Sequence, residues 1–155
     1  MNGITYYSAI SLNKVDPIYP KEWGNSSGDI LPERADSCKG HPDDKGNYHY
    51  HIPSPCILNT TFPGSKCANV AGCQGDTKDY LVAGMANFKK RYVIGIAKDG
   101  HLLYAPYDNN GKMVNCSSLD TCNGKTLDDK SYGYFATTTF PYGISCWGPG
   151  EPAKF

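Results

Sequence analysis

No basic run longer than Lys89-Lys90-Arg91 occurs in this 155-residue chain, whose fifteen Lys and Arg are balanced by fifteen Asp and Glu. That balance argues against nucleic acid and anionic membranes as partners. No stretch of eighteen apolar residues exists, so no membrane span is expected. The CxxC spacing is missing, which excludes the common zinc-ribbon and thioredoxin-type sites. No glycine-rich phosphate loop occurs, so nucleotide binding has no sequence support. Met1-Asn2-Gly3-Ile4 opens with no charged n-region and no apolar h-region. The expectation is a mature or excerpted chain, or unconventional export.

What the chain does have is seven cysteines, seventeen glycines, eleven prolines and twelve tyrosines. So many cysteines point to a disulfide framework in an oxidising, extracellular or cell-surface compartment. Three sequons, at Asn25, Asn59 and Asn115, agree with that location and offer sites for N-linked glycans. Glycine and proline spread along the chain mark many turns, and tyrosine suits half-buried sheet and contact surfaces. The length fits one domain, 1–155. Residues 1–35 form an N-terminal strand and a surface segment, 36–148 the motif-bearing core, and 149–155 a tail.

Helical periodicity is scarce, so the expected fold is an all-β, disulfide-stabilised antiparallel domain with little helix. Residues 4–10 read as a first strand, about 47–52 as the next, and 132–140 as the last. Residues 80–88 fit neither a helix nor a strand period cleanly. Residues 92–97 and 102–107 read as a hairpin about Asp99-Gly100, a pair favoured in two-residue turns.

Three of the four histidines, His41, His49 and His51, fall within eleven residues. Alternation along a strand puts His49 and His51 on one face, and a turn can return His41 beside them. Three imidazoles so placed suit a single copper or zinc ion, with Asp44 or His101 as a further ligand. The competing reading makes them structural, bonded to backbone carbonyls and stacked on tyrosines. His101, just past a turn, is expected to be solvent-exposed. Asp43-Asp44 and Asp128-Asp129 lack the spacing of a calcium loop and read as turn caps and solvated charge.

Asp36-Ser37-Cys38-Lys39-Gly40 aligns with Asp120-Thr121-Cys122-Asn123-Gly124, and Tyr48-His49-Tyr50-His51 then falls on Tyr132-Gly133-Tyr134-Phe135. This predicts an internal duplication of a Cys/Gly/Tyr-x-Tyr unit, with disulfides Cys38–Cys56 and Cys122–Cys146. Cys67–Cys73 is a third pair, which leaves Cys116 as a free or intermolecular thiol. Histidine is absent from the second copy, so a metal site would be single.

These residues resemble the YHYH domain family. Cys38-x-Gly40-His41-Pro42 with Tyr48-His49-Tyr50-His51 carries the likeness. Gly95-Ile96-Ala97-Lys98-Asp99-Gly100 with Tyr104-Ala105-Pro106-Tyr107 adds to it, as does 119–124 continuing to 140–146. Ala105 departs from the usual glycine, and Tyr132-Gly133-Tyr134-Phe135 replaces a second histidine-bearing tetrad seen in many members. The resemblance implies a secreted or surface domain. The expected function is a non-enzymatic structural or interaction module that self-associates, such as a subunit of a homopolymeric fibre or matrix. The alternative is a copper- or zinc-binding domain using His41, His49 and His51, and after it a metal-dependent enzyme.

Overall fold

A computed structural model of the chain describes residues 2–10, 16, 34–58 and 77–150. The expected Cys67–Cys73 pair and the sequons at Asn25 and Asn59 lie outside the described residues. Among the described residues seven strands form two sheets. The first contains β1 (Thr5–Tyr6), β2 (Gly40–Pro42) and β3 (Tyr48–Tyr50), in the order β1-β3-β2. The second contains β4 (Val93–Ile96), β5 (Leu102–Tyr104), β6 (Gly124–Thr126) and β7 (Tyr132–Phe135), in the order β4-β5-β7-β6. The helix α1 (Thr77–Gly84) and a few single 3₁₀ turns complete the described elements.

Both sheets grow from a hairpin built the same way. One oxygen of Asp36 accepts the backbone N–H groups of Cys38 (2.8 Å) and Gly40 (3.1 Å), and the other accepts the Tyr48 hydroxyl at 2.7 Å. Asp120 holds Cys122, Gly124 (both 2.9 Å) and the Tyr132 hydroxyl (2.7 Å) in the same manner. The turns need a left-handed residue, supplied by Lys39 (φ 61°) and Asn123 (φ 62°). That conformation is uncommon outside glycine, and here the aspartate bonds hold it in place. Disulfides Cys38–Cys56 and Cys122–Cys146 are both present, each tying a turn to the segment beyond its hairpin.

An isolated hairpin is marginal in water, and the first gains one further strand and the second gains two. Those additions make the sheets mixed: β1 lies parallel to β3, and β5 lies parallel to β7. The parallel partners come from distant parts of the chain, which local pattern cannot show. The first, second and last strands are also shorter than their apolar runs predict, because the chain leaves each ladder once its partner ends.

The ambiguous 80–88 region forms the end of α1 followed by a 3₁₀ turn, Ala86–Phe88. Its buried residues, Tyr80, Leu81, Gly84 and Met85, recur at helical spacing. They pack against Ile94, Leu103 and Tyr134 on one face of the larger sheet. Tyr104, Val114, Leu127 and Phe135 form the core on the other face. Neighbours in β5 and β7 thus serve opposite faces, as a pleated strand requires. The β4–β5 turn holds three residues rather than two: Ala97 N–H reaches the His101 carbonyl (2.8 Å), and Gly100 adopts φ 86°. A type I turn closed by a left-handed glycine is the usual three-residue solution. Ser54 meets the Tyr80 hydroxyl at 3.2 Å, joining the segment after β3 to α1.

Candidate metal centre

The hairpin register places His41 directly opposite His49. His51, two residues further along, returns to the same face just past the end of β3. One ring nitrogen from each of the three histidines lies within 4.8 Å of the others. The Nε2 atoms of His49 and His51 are 3.1 Å apart. Nitrogens bound to one tetrahedral ion at about 2.0–2.1 Å would sit roughly 3.3–3.4 Å from each other. The spacing found in the fold is therefore close to what one ion requires.

The outer hydrogen bonds fix which nitrogens face inward. His49 Nδ1 meets the Asn47 carbonyl at 3.1 Å, and His51 Nδ1 meets the Ser8 carbonyl at 2.5 Å. A carbonyl only accepts, so both Nδ1 atoms donate, and each neutral ring directs an Nε2 lone pair inward. Two lone pairs face to face repel unless a proton or a cation lies between them. Both rings are buried, with 3% and 7% of their surface exposed, which sharpens that requirement. The carbonyl bonds and tyrosine stacking expected of structural histidines are thus present. They also match the outer-shell pattern that orients metal-ligating histidines.

Tyr7 covers the cluster from outside. Its ring stacks on His49 with centroids 4.1 Å apart and planes 19° from parallel. Its hydroxyl donates to Asp43 at 3.2 Å. Bonds from the side chain and backbone of Asn47 bring the Asp43 carboxyl down to about 2, so it is anionic at neutral pH. Asp43 is the turn cap that its position predicts, also accepting from Lys45 N–H.

Neither Asp44 nor His101 belongs to the three-histidine group. His101 is not the solvent-exposed side chain expected of a residue after a turn. Its Nε2 is buried and its ring rests against Tyr132 and Tyr134, at 5.0 and 6.1 Å between centroids. The parallel β5–β7 pairing brings it there. Asn115 is exposed, and its side chain accepts the Ser117 N–H at 2.9 Å. Cys116 is an exposed free thiol. Sequence reasoning missed Tyr7 and the Ser8 carbonyl, since a contact 43 residues from His51 leaves no local pattern.

The corresponding face of the second hairpin is filled. Lys125 pairs with Gly133 in β6 and β7, and its ammonium lies 4.9 Å over the Phe135 ring. A Cβ at Gly133 would fall 2.5 Å from the Tyr104 ring, so an imidazole has no room there.

Fold and site together define a small disulfide-bonded β domain with a three-histidine cluster on its shorter sheet. Residues 2–118 match the family described as YHYH protein, and the chain belongs to that family. The match includes the N-terminal segment that supplies Tyr7 and Ser8, and it ends before the 119–146 motif. No curated protein and no solved structure matches the chain.

Proposed function

We infer that this domain is a metal-binding module that holds one copper or zinc ion on His41, His49 and His51. The observation that carries this reading is the 3.1 Å approach of two inward Nε2 atoms whose Nδ1 atoms are already committed to carbonyls. Among the described residues the cluster offers three ligating rings under the cover of Tyr7, and metal binding is the function proposed. Two disulfides support an extracellular setting, and exposed Asn115 is the described candidate for a glycan. Elemental analysis after loading and exhaustive dialysis tests the reading. The expected result is one ion per chain, falling to none in His49→Gln and His51→Gln variants whose far-UV spectra are unchanged. A wild-type chain that retains no ion would sink it.

Self-association is a second reading, favoured by the exposed Cys116 thiol and by Ile96, 64% exposed on the edge strand β4. Among the described residues no helix is long and apolar enough to cross a membrane. A mass of twice the chain without reductant, collapsing to one chain with it, is the expected signature of linkage through Cys116. A clean monomer at high concentration would remove this reading.

A further inference from the structure

We propose that the ion this site is built for is monovalent copper, an inference that rests on the metal-binding reading above and narrows it. The donor group is three imidazoles, and no carboxylate or thiolate belongs to it among the described residues. No negative charge enters through the outer bonds of His49 and His51 either, because both end on neutral carbonyls. Zinc completes four coordination, with four protein ligands in structural sites and with water as the fourth where three histidines hold it. Here the described protein ligands number three.

Charge decides between the candidates. The cost of moving an ion out of water rises as the square of its charge, so a divalent ion costs about four times what a monovalent ion does. With His49 and His51 almost wholly buried, that difference is not screened away. Among the described residues a carboxylate approaches from outside: Asp43, joined to the cluster through the Tyr7 hydroxyl and the ring stacked on His49. The negative charge of Asp43 matches one positive charge on the ion more closely than two. Cu(I) has a filled d shell and accepts three nitrogen donors without a fourth, so the three rings complete its coordination.

The test is a pair of chelator competitions on the full chain under anaerobic conditions, with metal alone as the probe. Cu(I) is competed against bicinchoninate and Zn(II) against a chromophoric zinc chelator. The expected result is one Cu(I) per chain, with a dissociation constant at least roughly a thousandfold below that for Zn(II), about 4 kcal/mol. Zinc bound as tightly as Cu(I), or more tightly, overturns the assignment and leaves a metal site standing. Failure to bind either ion overturns both this proposal and the reading beneath it. A Tyr7→Phe variant keeps the stacked ring and removes the link to Asp43. Its Cu(I) affinity is expected to fall about tenfold, at the lower end of what outer-shell partners contribute. Unchanged affinity overturns the charge-balance argument.

Discussion

One equivalent of bound metal is expected to raise the thermal unfolding midpoint by roughly 5–10 °C, and the double variant His49→Gln/His51→Gln should show no rise. The unfolded chain has no preformed cluster, because the three rings are gathered by the β2–β3 ladder and by the Ser8 carbonyl. An ion that binds only the folded state at a hundred times its dissociation constant stabilises by about 2.7 kcal/mol. For a domain of this size each kcal/mol moves the midpoint by roughly 2–4 °C. The glutamines keep side-chain volume near that of imidazole but offer amide oxygens, which suit copper and zinc far less well than imidazole nitrogen. Scanning calorimetry with and without metal measures the effect. An equal rise in the double variant would place the ion elsewhere.

Gly40→Ala and Gly124→Ala are each expected to cost about 2–5 kcal/mol, combining overpacking with the loss of a hydrogen bond to a carboxylate. A Cβ at Gly40 would fall 2.2 Å from the Tyr48 hydroxyl oxygen, and one at Gly124 would fall 2.0 Å from that of Tyr132. Those hydroxyls are bonded to Asp36 and Asp120, the residues that shape the two turns. The added methyl therefore displaces the tyrosine and loosens the turn behind it. Equilibrium urea unfolding with the disulfides intact measures the cost, and a loss below about 1 kcal/mol would contradict the steric account. Only Gly40→Ala should also impair metal uptake, since Gly40 pairs with Tyr50 in the ladder that aligns His41 with His49.

Acid should separate the wild type from Gly124→Ala. Burial pushes the Asp120 carboxyl up, but bonds from Tyr132, Gly124 and Cys122 outweigh it and hold the group below the ordinary aspartate range. A carboxyl depressed in the folded state adds stability that is present above its unfolded value, about 3.9, and lost as pH falls through its folded value. Gly124→Ala weakens the Tyr132 bond, so its loss of stability across this acid range should be shallower.

Much of the architecture was legible because it is local. The Asp-x-Cys-x-Gly turn and the Tyr-x-Tyr strand occur close together, and short-range bonds through Asp36 and Asp120 dictate the hairpins. Alternation put His49 and His51 on one face, and the turn returned His41 to them. Tyr80 to Met85 was harder to read. Its apolar residues acquire helical sense only against the sheet that α1 covers.

By itself, the sequence determined two Cys/Gly/Tyr-x-Tyr units each tied by its own disulfide, a β-rich domain and a histidine trio in one of those units, since each follows from residues close together in the chain. Tertiary structure alone decided that β1 would add to β3 in parallel, that Tyr7 would cover His49, and that Ser8 would fix the inward nitrogen of His51. It also decided that Phe135 and Tyr104 would fill the matching face of the second hairpin. Those contacts join segments far apart in the chain. No local periodicity specifies them, because they follow from which distant strand best satisfies an open sheet edge and an uncovered ring.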